Sequence, residues 1–328
     1  MQAIGVKGRD VTKVLLTAVI VLGAILPFLM ANPYYLHVII MGLILTLPIL
    51  GLTLFMGYAG QLSLGHEALY GLGAYSAGIA IKNGLPFPVA LLVAAIVPYY
   101  VAKLLGIATL KQVKGIYLVP VTLGFSLFMN VLFTNLVELT GGSSGLTGIS
   151  RPQFFMEENH YYYLCLGIVI LTYFAISRLI NSRIGIALRS IAGNSLAAEC
   201  IGIDIYRYKT FALALSGLLA GLGGGLYASY ANYICPVDFG MDMNIRFVCM
   251  AIIGGLGNIY GACMGAVMLN VVPELLRASE KFQMSLYGLV LIITLIYWPR
   301  GLGGLLDYLP KRGKPDEERG KPDEERCK

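Results

Sequence analysis

The chain has 328 residues, of which 57% are hydrophobic and 13% charged, with a mean hydropathy of +0.74 and a net charge of +6. Soluble domains carry about 25% charged residues, so this composition excludes an ordinary soluble protein. Apolar runs of roughly 20 residues recur along the chain without the strict alternation of barrel strands. We therefore expect an all-α integral membrane protein rather than a β-barrel.

The apolar runs predict about ten membrane spans, with both termini in the cytoplasm. In chain order the predicted spans are 14–31, 37–57, 62–82, 88–108, 115–138, 160–180, 209–232, 244–257, 260–275 and 284–299. The basic residues before the first run would also suit a signal peptide, but no convincing small-residue cleavage site follows them. With the N-terminus inside, most lysines and arginines fall in cytoplasmic loops, as the positive-inside rule requires.

Residues 1–310 are predicted to form one transmembrane domain with two substantial loops. The longest external loop is 139–159, and the longest internal loop is 181–208. The internal loop spaces small, apolar and polar residues helically, which predicts short amphipathic helices. Residues 311–328 repeat the sequence GKPDEER and are predicted to be a disordered cytoplasmic tail, either a solvated end or an interaction segment.

Two glycine series have the spacing of close helix packing, because small residues let helices approach within a membrane. They are Gly217, Gly221 and Gly225, and then Gly257, Gly261 and Gly265. A turn could interrupt the second series. Helix packing is the simpler interpretation, and the alternative is the moving or broken helix of a gate.

The segment 57–79, GYAGQLSLGHEALYGLGAYSAGI, is apolar enough for a membrane but carries polar groups. These are Gln61, Ser63, His66 and Glu67. Polar groups inside a membrane are costly and often mark pathways. Two hypotheses follow: a structural polar clasp between helices, or a place on a translocation path or gate. Gln61 lies near the predicted cytoplasmic end and could be hydrated.

Arg246 is a further candidate for the path, because a guanidinium could bind a substrate carboxylate. A simpler interpretation is an ion pair with Asp242, four residues earlier on the same predicted helix. The chain has no GxxxxGK[ST] phosphate loop and no HExxH motif. We therefore expect no catalytic residue and no metal site.

The internal loop contains NSLAAECIGIDIYRYK, in which Ala197 and Ala198 are followed by Gly202. Small residues would let a short helix sit deeply in a groove, and the glycine would end that helix. Asn194 or Ser195 could cap its start.

Several blocks in order resemble branched-chain amino acid ABC transporter permeases of the LivM subfamily. They are GYAGQLSLGHEALYGLGAYSAG, GIYLVPVTLGF with LTGGSSGLTGI, SRIGIALRSIAGNSLAAECIGIDIYRYK, FALALSGLLAGLGGGLYA, GGLGNIYGACMGAVML and WPRGLGGLL. The resemblance runs from about residue 37 to 306, and the loop 181–208 resembles the coupling segment of such permeases. It implies a multi-pass permease of the prokaryotic plasma (inner) membrane that imports leucine, isoleucine and valine.

The resemblance also implies partners: a second homologous permease forming a heterodimer, two cytoplasmic ATPases that bind ATP and Mg, and an external substrate-binding protein. It implies no cofactor in this chain and no nucleic-acid partner. Coupling to the ATPases would involve Asn194, Ala197, Ala198, Glu199 and Gly202. An external gate or binding-protein contact would involve Thr140, Gly141, Gly142 and Gly145, unless these residues only form a well-shaped loop.

This sequence departs from the family pattern at two places. Ala192 to Ser195 replace a usual acidic stretch, and Leu196 stands at a usual glutamate position. Glu67 stands where a small residue is usual, and the sequence around Arg246 is unlike the usual one. Related importers for urea, amides or other amino acids are therefore an alternative. An ATP-independent secondary transporter is another, although repeated halves are not visible.

Overall fold

The computed structural model describes residues 33–111, 117–152 and 155–275, together with the isolated positions 23, 27, 301 and 303. The predicted spans 14–31 and 284–299, and the tail 311–328, lie outside the described residues.

The described chain is predominantly helical, as the composition predicted. Its helices are α1 (Pro33–Thr53, extended by a π-helical turn at Leu54–Tyr58), α2 (His66–Lys82), α3 (Phe87–Thr109), α4 (Leu118–Asn135), α5 (Val137–Thr140), α6 (Glu158–Ile180), α7 (Arg183–Gly193), α8 (Ser195–Cys200), α9 (Ile205–Ala231), α10 (Met241–Gly254) and α11 (Ile259–Leu275). Within the described ranges, five are long and apolar enough to cross a membrane: α1 with its extension, α3, α4, α6 and α9.

The predicted span 62–82 begins too early. Residues 59–65 are not helical, and α2 starts only at His66. Gly60 has a φ of +65°, a left-handed conformation that a right-handed helix cannot contain. The predicted span 244–257 is displaced for a similar reason, because α10 ends before Gly255, whose φ is +104°.

Helix α9 packs closely against α3 through the first glycine series, Gly217, Gly221 and Gly225. A Cβ added to Gly221 would lie 2.6 Å from Cγ of Pro98, and one added to Gly217 would lie 2.5 Å from Cβ of Ala102. Both distances are shorter than any van der Waals contact between carbons. The absence of side chains is therefore what allows α3 and α9 to approach this closely.

Other faces of α9 are equally close to α1 and α2. A Cβ on Gly223 would lie 2.8 Å from Cδ of Pro48 in α1. A Cβ on Gly224 would lie 2.8 Å from the backbone nitrogen of Ala74 in α2. Helix α9 is thus enclosed by three neighbours, which makes it the centre of the described bundle.

The second glycine series is divided by a turn. Gly261 and Gly265 lie on α11 against Gly254 of α10. Gly257 precedes α11, has a φ of +87°, and does not continue the helical stripe. A Cβ on Gly57 would lie 2.8 Å from Cα of Gly257, so this turn contacts the π-helical turn at the end of α1.

Loop 139–159 carries a small β-ribbon that the sequence did not predict. Strand β1 (Leu146–Thr147) pairs antiparallel with β2 (Tyr233–Ile234), which follows α9. Helix α9 ends at Ala231, and the next residue, Asn232, has a φ of +59° that turns the chain into β2. The ribbon joins loop 139–159 to the C-terminal end of α9.

The packing of α9 predicts a contrast between two glycine-to-alanine substitutions. Gly221→Ala should lower the free energy of unfolding by about 1–3 kcal/mol, because the methyl group overlaps α3. Gly167→Ala in α6 is the matched control, because a Cβ there meets nothing within 4 Å. Thermal unfolding of the detergent-solubilised variants measures the difference, and equal stability of the two would contradict the packing account.

Candidate functional site

Residues 59–65, which we call the polar break, interrupt the helical path between the π-helical turn and α2. Backbone groups in a membrane interior need hydrogen-bond partners within the protein. The Leu64 N–H donates to Oγ1 of Thr122 in α4 at 3.0 Å. The Leu64 carbonyl accepts from Nδ2 of Asn244 in α10 at 2.9 Å. Two neighbouring helices therefore hold the backbone of the polar break.

The first turn of α2 places two ionisable side chains in full burial. His66 Nε2 lies 3.1 Å from Oγ of Ser216 in α9. The Ser216 hydroxyl donates to the Leu213 carbonyl at 2.7 Å, so we assign the proton to His66 Nε2, which then donates to Ser216. Glu67 Oε1 accepts from Oγ of Ser126 in α4. The first turn of α2 is thus tied to both α9 and α4.

These buried groups keep unused hydrogen-bonding capacity. Among the described residues, His66 Nδ1, Glu67 Oε2 and Asn244 Oδ1 are buried without a hydrogen-bond partner. Leaving a buried polar atom unsatisfied costs about 1–3 kcal/mol, and such atoms call for an explanation beyond packing. A polar clasp explains the atoms of each side chain that are hydrogen-bonded. The atoms without a partner are available to a ligand or to a different conformation of the protein.

Helix α4 carries a polar stripe that the sequence reasoning missed. Thr122, Ser126 and Asn130 are four residues apart and lie on one face. The first two bind the polar break and Glu67, and Asn130 Nδ2 donates to the Pro236 carbonyl at 3.0 Å. The opposite face of α4 exposes large apolar side chains, as a lipid-facing surface would. The four-residue spacing was the only signal in the sequence.

The remaining candidates for the path are placed differently from one another. Gln61 and Ser63 are buried in the polar break, and Gln61 Nε2 donates to the Gly60 carbonyl at 2.9 Å. Arg246 lies on α10, two residues after Asn244. Residues two apart occupy different faces of a helix, so Arg246 is not on the face that binds Leu64. Its pairing with Asp242 stays a prediction.

Loop 181–208 forms short capped helices, as predicted. Ser182 Oγ accepts from the Ile184 N–H at 3.2 Å at the start of α7, and Asn194 Oδ1 accepts from the Ala197 N–H at 3.1 Å at the start of α8. The expected cap at Asn194 is therefore confirmed. Capping satisfies backbone donors that the first turn of a helix leaves unpaired.

Helix α8 ends at Gly202, as the spacing predicted. The Ile203 N–H donates to the Ala198 carbonyl at 3.1 Å, the Gly202 N–H donates to the Glu199 carbonyl at 2.9 Å, and Gly202 has a φ of +83°. This is a Schellman ending. Ala197 and Glu199 are exposed beside it, Ala198 is buried, and Leu196 is 74% exposed. The short helix therefore exposes the apolar side chain of Leu196, while the cap at Asn194 and the turn at Gly202 fix both ends of its backbone.

The candidates for an external gate form a separate set. Thr140 Oγ1 donates to the Phe133 carbonyl at 2.6 Å. Gly141, Gly142 and Gly145 have φ values of +77°, +61° and +75°, which side chains other than glycine rarely adopt. These residues shape the loop after α4, roughly 20 Å along that helix from Thr122. The structure does not bring them together with the polar break.

The anchoring of the polar break predicts a contrast at Thr122. Thr122→Val should lower the free energy of unfolding by about 1–3 kcal/mol, because the Leu64 N–H loses its acceptor. Thr122→Ser keeps the hydroxyl and should cost only about 0.8 kcal/mol for one buried methyl group. Denaturant unfolding in detergent micelles compares them, and a valine variant as stable as the serine variant would contradict the role of this bond.

Comparisons with known proteins agree with this architecture. Residues 34–296 match the family described as branched-chain amino acid transport system / permease component. The high-affinity branched-chain amino acid transport system permease protein LivM of Salmonella typhimurium is 28% identical over 88% of this chain and 74% of its own length. LivM of Escherichia coli shows the same values. The autoinducer 2 import system permease protein LsrC of an Enterobacter species is 25% identical over 81% of this chain and 80% of its own length.

No solved structure matches the chain. The family match covers most of the sequence and nearly all the described helices. The protein is therefore a multi-pass membrane protein and belongs to the family of permease components of branched-chain amino acid transport systems.

Proposed function

We propose that this chain is the permease subunit of a binding-protein-dependent ABC importer that moves leucine, isoleucine and valine into the cell. Two separate ATPase subunits bind ATP and Mg and hydrolyse the ATP, a second homologous permease completes a heterodimer, and an external binding protein delivers the amino acid. The observation that carries the proposal is the cytoplasmic loop with its two capped helices and exposed apolar side chain, in a chain of this family.

In this proposal residues 1–310 form one transmembrane domain of ten helices, and 311–328 form a charged tail in the cytoplasm. Both termini are cytoplasmic, and the membrane is the prokaryotic plasma membrane. The described helices support the order of the predicted spans from 37–57 to 260–275. The distribution of lysine and arginine among the loops supports the orientation.

Helix α8 is the part of the chain that would dock into the ATPases. Its backbone is held by the Asn194 cap and the Gly202 ending, so its outward surface has a defined shape. Leu196 and Ile201 are each 74% exposed. Apolar side chains in water do not stabilise an isolated membrane domain, so their exposure indicates a contact surface. An apolar groove on the ATPase would cover both side chains.

The polar break and the first turn of α2 would line the translocation path on the cytoplasmic side. A zwitterionic amino acid needs polar groups wherever it loses water. Ser63, His66 and Glu67 supply such groups inside the bundle, close to the cytoplasmic loop that moves with the ATPases. Thr140 and the glycines after it would form the outer gate or contact the binding protein.

A related importer for another small polar cargo is the second candidate. The likeness to LsrC, whose name refers to autoinducer 2, extends over most of this chain. Glu67 also places a carboxyl group where such permeases usually have a small residue. Urea, amides and other amino acids are therefore the competitors to test.

Uptake assays decide between these proposals. Proteoliposomes that contain the whole complex and its binding protein should accumulate labelled leucine only with ATP on the ATPase side. Excess isoleucine or valine should compete, and urea should not. Uptake without ATP would support a secondary transporter instead, and competition by urea or an amide would support the second candidate.

Docking through α8 predicts that Leu196→Asp weakens binding of the ATPases about tenfold or more. The variant removes apolar burial worth about 1.5–3 kcal/mol and places a charge in the groove. Ile186→Asp on α7 is the matched control, because that side chain is also largely exposed. Co-purification from mild detergent measures the effect. Full retention of the ATPases by Leu196→Asp would contradict docking through this helix.

A further inference from the structure

The cytoplasmic loop touches the membrane bundle at the start of the polar break. Tyr58 is the last residue of the π-helical turn and is 7% exposed. The guanidinium carbon of Arg189, in α7, lies 5.3 Å from the centre of the Tyr58 ring. This is within the distance of a cation–π interaction, in which a planar guanidinium can stack on an aromatic face.

A second contact lies beside the first. Ala192 follows Arg189 by three residues and so lies on the same side of α7. A Cβ added to Gly60 would come within 3.1 Å of the Ala192 Cα, so the two backbones are in close contact. Gly60 has the left-handed φ that begins the polar break. One face of α7 therefore rests on both Tyr58 and Gly60.

Both ends of this contact are firmly connected. On one side, α7 passes into α8 through Asn194 alone, and that residue caps α8. On the other side, the polar break is bound at Leu64 to Thr122 and Asn244. The face of α7 that holds Tyr58 therefore connects α8 to the polar break, and through Leu64 to α4 and α10.

We propose that Arg189 and Tyr58 form a positioning pair that transmits movement of the cytoplasmic loop to the polar break during transport. This inference rests on the proposed function as an ATP-driven importer. Neither residue touches the cargo in this account. The planar guanidinium over the ring keeps α7 aligned with Tyr58, so that the loop and the polar break move together.

The test measures leucine uptake and ATP hydrolysis in the same proteoliposomes of the whole complex. Arg189→Ala should reduce the leucine transported per ATP about two- to fivefold, the factor expected from losing one exposed cation–π contact. ATP hydrolysis and co-purification of the ATPases should stay at the wild-type level. Tyr58→Phe keeps the ring but removes the hydroxyl, which also hydrogen-bonds to Arg189, so its ratio should fall between those of wild type and Tyr58→Leu. Tyr58→Leu removes both contacts and should lower the ratio as much as Arg189→Ala.

Two further variants distinguish stacking from charge. Arg189→Lys keeps the charge without the planar group and should fall between wild type and Arg189→Ala. Arg178→Ala removes another exposed arginine, at the end of α6, and should keep the wild-type ratio.

The inference is overturned if Arg189→Ala transports as much leucine per ATP as wild type, or if Arg178→Ala loses as much. Loss of the ATPases from Arg189→Ala would also overturn it, because Arg189 would then act in docking. A wild-type complex without ATP-dependent uptake is a different result, which removes the proposed function itself.

Discussion

The structure depends on one constraint. A membrane interior offers no water to backbone N–H and C=O groups, so each of them needs a hydrogen-bond partner within the protein. The chain cannot continue as a helix through Gly60, so the groups freed in residues 59–65 need partners from elsewhere. Thr122 accepts from the Leu64 N–H, and Asn244 donates to its carbonyl. These two bonds fix the positions of α4 and α10 relative to α2.

Close packing around α9 excludes water from the bundle interior, so the hydrogen bonds of the polar break are not replaced by bonds to water. Because lipid is as apolar as leucine, helices in a membrane associate through shape and hydrogen bonds. The glycines of α9 let three helices approach its backbone. Ser216, on the same helix, then reaches His66. The glycines therefore bring the helices together, and the polar side chains of several helices hold the polar break and the first turn of α2.

The sequence predicted the features that depend on neighbouring residues. Hydropathy located the five long apolar helices, and local spacing predicted the cap at Asn194 and the helix end at Gly202. It did not predict that Thr122, Ser126 and Asn130 bind the polar break, Glu67 and Pro236. Those partners are 58, 59 and 106 residues away in the chain, and no periodic pattern specifies such long-range pairs. The left-handed conformations of Gly60 and Gly255, which displaced two predicted spans, were equally hidden, because their neighbours in sequence do not distinguish them from helical glycines.

The central claim is that separate cytoplasmic ATPases drive transport by moving loop 181–208 of this bundle. The most direct measurement is purification of the chain from its native membrane in mild detergent, followed by mass spectrometry of everything that accompanies it. The account predicts a second permease-like chain together with ATPases that contain a phosphate-binding loop. A chain that purifies alone, folded, and transports without ATP would contradict it.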